Sequence, residues 1–201
     1  MIRALLAFLI LFPGWAMAQS LPALYEVAGV QQNDTLNVRS GPSTTFRVIA
    51  KLGPNDTGIE LVDTDESGDW GLILLDEGSG WVALKYLARQ PNQPENGMLR
   101  YLNCTGTEPF WGFTLGLDRK AKFTRLDETI PFDSVLTVPS DNRPDRHALF
   151  ADGGEVVITA MVGRNQCSDG MSDRIYGLGI DILVTDQSQV KVYSGCCSVA
   201  R

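Results

Sequence analysis

The chain has 201 residues, 44% hydrophobic and 20% charged, with a formal net charge of −7. These proportions are ordinary for a soluble globular protein, and the length allows one large domain or two small ones. The surplus acid argues against DNA, RNA or anionic lipid as a partner. It is concentrated early: residues 19–90 carry five basic and ten acidic side chains, residues 98–201 eleven and thirteen. Twenty glycines and ten prolines, set between short apolar runs, favour strands and turns over long helices.

In chain order, residues 1–18 read as a secretory signal peptide. Met1-Ile2-Arg3 is a positive start, Ala4–Phe12 an apolar core, Pro13-Gly14 a helix break and Ala16-Met17-Ala18 a cleavage pattern. The apolar stretch is shorter than the ~20 residues of a membrane span. The mature protein is expected to begin near Gln19, with no stable membrane anchor after cleavage and no Cys there to carry a lipid. Its location is periplasmic or secreted.

Residues 19–88 hold six short β-prone runs: "LYEVAGV", "TLNVRS", "FRVIAKL", "TGIELVDT", "DWGLILL" and "GWVALKYL". They are separated by Asn-Asp, Gly-Pro, Ser-Gly-Asp and Glu-Gly-Ser-Gly turn signals, a pattern that predicts a small antiparallel barrel. Leu36 and Val38 alternate with Asn37 and Arg39, and Ser40-Gly41-Pro42-Ser43 reverses the chain. The order "LNVRSGPSTTFRVIAKL", a Gly-Asp-Trp strand, then "GWVALKYL" resembles bacterial SH3 domains over about residues 24–88. The resemblance implies a targeting module of an exported protein, directed to cell-wall peptide or another envelope component. Phe46, Trp70, Trp81 and Tyr86 are its candidate aromatic contacts, with Asn37 and Arg39 at the rim. The competing structural roles are core packing for Trp81 and a turn brace for Arg39.

"ARQPNQPENG" (88–97) is polar and proline-bearing, so residues 89–97 are expected to be a linker. Residues 98–201 again read as β, with seven or eight strands in an antiparallel barrel or sandwich. "FWGFTLGL" puts Trp111, Phe113, Leu115 and Leu117 on one face, and "IYGLGIDILV" does so for Tyr176, Leu178, Ile180, Ile182 and Val184. The fold class is therefore all-β, with two units.

All four cysteines, Cys104, Cys167, Cys196 and Cys197, fall in the second unit. In an exported chain they are disulfide candidates. A bridge within the adjacent Cys196-Cys197 pair would be a strained ring, which leaves Cys104 and Cys167 each joined to one member of the doublet. A soft-metal site at the doublet, with Met171 nearby in sequence, is the alternative. "CTGTEPFWGF", "CSDGMSDRIY" and the terminal "SGCC" together resemble an uncharacterised family of bacterial envelope domains. Asp169, Ser172, Asp173 and Arg174 are candidates to line a polar pocket there, although these are also ordinary turn residues.

One catalytic alternative arises. Asn103-Cys104-Thr105-Gly106 is similar to the nucleophile segment of papain-like cell-wall peptidases, and His147 is the sole histidine. A low-pKa Cys needs a helix N-terminus or a His beside it, whereas Pro109, Gly112 and Gly116 follow in a strand pattern. No metal or cofactor motif is present. The sequence reads as a non-catalytic, exported, two-unit envelope protein with no cofactor, a cysteine peptidase and a protein-binding adaptor being the alternatives.

Overall fold

A computed structural model describes residues 20–94, 101–187 and 189–199. The leader expected at 1–18 and the end of the expected linker lie outside the described residues. Among those described, no helix is long and apolar enough to cross a membrane.

The first unit contains β1 (Ala23–Val27), β2 (Leu36–Arg39), β3 (Val48–Leu52), β4 (Thr57–Thr64), β5 (Trp70–Leu74), β6 (Ser79–Ala83), a single 3-10 turn (Leu84–Tyr86) and β7 (Leu87–Arg89). They form one antiparallel sheet in the order β3-β2-β6-β5-β4-β1-β7. Period-two alternation sends Tyr25, Leu36, Val38, Leu61, Ile73 and Val82 into a common core. "GWVALKYL" is not one strand: the 3-10 turn splits it into β6 and β7. The opening of the expected linker is tied down. Arg89 pairs with Tyr25, and the Gln93 amide brackets the Leu24 backbone, accepting from its N–H and donating to its carbonyl at 2.7 Å each.

The second unit has nine strands: β8 (Leu102–Gly106), β9 (Trp111–Leu115), β10 (Ala121–Arg125), β11 (Glu128–Phe132), β12 (Val135–Pro139), β13 (Arg146–Asp152), β14 (Val157–Cys167), β15 (Tyr176–Thr185) and β16 (Val190–Ser198). Each pairs antiparallel with its chain neighbour except at β11/β12, and β16 pairs back onto β8. The result is a nearly closed barrel. Trp111, Phe123 and Tyr193 fill one part of its interior with ring centroids 5.4–6.1 Å apart. Trp111, Phe113 and Leu115 point inward as expected, but Leu117 is exposed because β9 ends at Leu115 and turns through Gly116.

Both disulfides use the doublet. Successive residues of a strand face opposite sides, so Cys197 turns inward to Cys104 and Cys196 outward to Cys167. Cys104 and Cys197 are direct partners across β8 and β16. Cys167 reaches β16 differently, because β15 lies between their strands. Two strand spacings would be about 9.6 Å, yet these Cα atoms are 5.6 Å apart. The register of β14 shifts between Arg164 and Cys167, and the strand end folds over β15. Gly179 allows it, since a Cβ there would stand 3.2 Å from the Asn165 amide.

With its sulfurs so engaged, the doublet cannot serve as a soft-metal site, and Cys104 has no free thiol for a peptidase. His147 is buried on β13 on the same side as Leu149 and Ala151. Its Nε2 has no hydrogen-bond partner among the described residues.

The two units touch. β4 is buried on both faces: Ile59 and Leu61 enter the first core, while Glu60 and Val62 turn outward toward the barrel. The Val199 N–H donates to Glu60 Oε2 at 2.8 Å and the Ile175 N–H to Ser79 Oγ at 2.8 Å. The Gln166 amide donates to Asp63, and Gly177 sits against Pro22, where a Cβ would come within 2.8 Å.

Two outcomes are expected. In urea unfolding, the Cys104→Ala/Cys197→Ala double variant loses about 4–5 kcal/mol, because its bridge closes the longer loop, and Cys167→Ala/Cys196→Ala about 3–4 kcal/mol. The second concerns acid. Burial first, and the Arg164 charge second, hold the His147 pKa below the ordinary 6.5. The unfolded chain therefore takes up a proton that the folded one resists. This contribution to stability is complete above pH 6.5 and is lost as pH falls through the folded pKa. His147→Leu should flatten the pH dependence of the urea midpoint below about pH 6.5; an unchanged slope contradicts the assignment.

Candidate functional site

A concavity of about 910 Å³ lies on the first unit. Its walls are the loop from Gly29 to Thr35, β2 with Thr44 from the following turn, the β4–β5 turn from Gly68 to Trp70, and the 3-10 turn with Ala83 before it. Of the six predicted contacts, Asn37, Arg39, Trp70 and Tyr86 line this groove. Phe46 and Trp81 do not. Phe46 is exposed but lies flat over Gly41, where a Cβ would meet its ring at 2.7 Å. Trp81 is half-buried on the outward side of β6, since its neighbours Gly80 and Val82 point to the core.

Local chemistry holds each wall in place. Arg39 Nη1 donates to the carbonyls of Thr44 at 2.9 Å and Phe46 at 2.8 Å, closing the turn that contains Gly41 and Pro42. Arg39 thus braces the turn and faces the groove at once. On the opposite wall, the Asp65 carboxylate accepts from the Ser67 hydroxyl and from the Trp70 N–H at 2.9 Å. The Ser67 hydroxyl first and the Trp70 N–H second hold the Asp65 pKa below its usual range. Gly68 completes this turn at φ +73°, a conformation other residues adopt only with strain. Lys85 Nζ stands 4.9 Å from the centre of the Tyr86 ring, a cation–π contact.

The groove is mixed in charge. Asp34 and Asp69 face it with Arg39 and Lys85, beside the apolar Leu84 and the two rings. Sequence reading did not pick out Asp34, Asp69, Leu84 or Lys85. The signal for Asp69 was the turn preceding Trp70, and for Leu84 and Lys85 the break of alternation in "WVALKYL".

The second unit's Asp169, Ser172, Asp173 and Arg174 do come together. They line a cleft of about 590 Å³ with Asp76, Glu77 and Gly78 of the first unit. Much of their hydrogen-bonding capacity is used internally. Asp169 accepts from the Met171 and Ser172 N–H groups at 3.0 and 2.9 Å and from the Ser172 hydroxyl at 2.9 Å. Desolvation opposes ionisation of Asp169 most strongly, but these bonds and the Arg174 charge together leave its pKa lowered. The segment acts as a turn braced against the first unit.

A comparison with curated proteins finds no match to this chain. The model of the bacterial SH3 domain family matches residues 34–88, a segment that supplies most of the groove's lining, while β1 precedes the match and joins the same sheet. Residues 34–88 are a bacterial SH3 domain.

Proposed function

We propose that this is a non-catalytic, exported envelope protein whose SH3 domain holds a cell-wall peptide in the groove between Arg39, Trp70 and Tyr86. The observation that carries this reading is the coincidence of the matched segment with a concavity of about 910 Å³. Bacterial SH3 domains suggest cell-wall binding, and the two disulfides suit an oxidising, extracytoplasmic compartment. The groove chemistry is compatible with a short zwitterionic peptide. Asp34 and Asp69 would receive an amine, Arg39 and Lys85 a carboxylate, and Trp70 and Tyr86 would supply contact area at low entropy cost. The second unit's resemblance to a family of bacterial envelope domains belongs to the same proposal; its part here is to support the SH3 domain from behind.

The test is co-sedimentation of the mature chain, from Gln19 onward, with insoluble peptidoglycan at physiological salt. The wild type is expected to pellet, and Trp70→Ala and Tyr86→Ala each to bind at least about tenfold more weakly. Circular dichroism establishes that both variants stay folded. A wild-type protein left in the supernatant, or folded variants that pellet like wild type, would sink the reading.

A further inference from the structure

The outside of the barrel is not uniform. On β8–β11 the outward positions are polar or small: Asn103, Thr105, Thr114, Lys122, Thr124 and Thr129. On β12–β16 they are not. Strand register sets Leu136, Phe150, Thr159, Leu183 and Val192 side by side, one from each of five consecutive strands. The row on one side of this includes Val157 and Val190, and the row on the other Val138 and Met161. Eight of the fifteen exposed large hydrophobic residues among those described lie on this one face, with Leu136 at 58% and Val192 at 66% exposure. They do not belong to the barrel core, which the opposite parity of the same strands fills.

We propose that this face of β12–β16 is where a second copy of the chain docks. Area is the first argument. At about 4.8 Å between strands and 6.8 Å between outward rows, the three rows span roughly 500 Å². Together with the polar residues that border it, the face approaches the ~800 Å² per partner of a stable interface.

Charge is the second argument. Arg146 and Asp152 stand on the outward side of β13, at its two ends. The Arg146 guanidinium is held over Gly163, with the Asp145 carboxylate at 3.5 Å and the Asn165 carbonyl at 3.4 Å. A two-fold axis lying in the interface and running across the strands reverses the strand direction. It sets Arg146 of one copy against Asp152 of the other, twice per dimer. The acidic residue nearer the middle, Asp181, accepts from the Ser194 hydroxyl at 2.6 Å, so it is not left bare on burial. A bilayer fits less well, because Asp152 and Asp181 occupy the face. The aligned packing of two such sheet faces, about 10 Å apart, is a standard solution for burying them.

The experiment is sedimentation equilibrium of the mature chain over a wide concentration range. The expected result is a reversible dimer whose dissociation constant rises at least about thirtyfold in Leu183→Asp and in Val192→Asp. Far-UV dichroism and intact disulfides verify folding of each variant. Arg146→Asp alone and Asp152→Arg alone should each weaken the dimer, and an equimolar mixture of the two should restore it, since both contacts then become attractive. A monomer at every concentration overturns the proposal, as does a dimer indifferent to the face variants or a mixture that restores nothing. Binding of a monomeric chain to phosphatidylcholine vesicles would overturn it in favour of a lipid occupant.

Discussion

The pairing of the last strand with the first, locked through two adjacent cysteines, governs the architecture of the second unit. Because neighbouring residues on a strand cannot face the same way, Cys196 and Cys197 must bridge on opposite sides of β16. The inner bridge fixes β16 to β8, the last strand of this unit to its first. The outer bridge draws the end of β14 across β15. That displaced end leads into the segment 168–175, which sets Asp173 against Gly78 and the Ile175 N–H on Ser79. A local rule of strand geometry thus reaches the contact between the two units.

That contact explains the burial on β4. Glu60 is almost fully buried, and its Oε2 accepts the Val199 N–H. A buried carboxylate needs such hydrogen bonds to offset its desolvation. The first unit therefore uses its sheet twice, once for its own core and once against the barrel. The residues that touch the barrel, Pro22, Glu60, Asp63 and Ser79, are distinct from those that line the groove. The first unit is held against the barrel on one side, and its groove opens on another.

The fold class was legible because turn signals and period-two alternation are local properties. "TGIELVDT" coincides with β4, and the five alternating apolar residues of β15 are all buried. Two strands of the barrel escaped notice for local reasons as well. β8 is a five-residue run whose alternation rests on Leu102, Cys104 and Gly106, and β11 contains Pro131, which reads as a breaker but is tolerated on an edge strand. The groove was half legible. Aromatic residues announce themselves, but whether a ring faces groove or sheet depends on the parity of its strand. Trp70 begins β5 at the mouth of the Asp65 turn, whereas Trp81 sits in the middle of β6 with its direction set by Gly80 and Val82. Burial of His147 was not legible, since it depends on the barrel closing around the inward side of β13.

Alternation is also informative where it fails. A strand with one wet face should alternate, and a run apolar at both parities ordinarily marks a strand covered on both sides. Ile182-Leu183-Val184 in β15 and Val190, Val192 and Tyr193 in β16 are apolar at both parities, as are Val157-Ile158 and Met161-Val162 in β14. Inward residues of these strands meet the barrel core, so one parity is accounted for. The other stands in solvent across five strands in register, while the polar strands β8–β11 of the same barrel show no such surplus. A composition suited to two-sided burial, confined to one contiguous face, is what an interface leaves in a sequence. The two-fold arrangement that opposes Arg146 to Asp152 supplies a cover using only residues the chain itself carries.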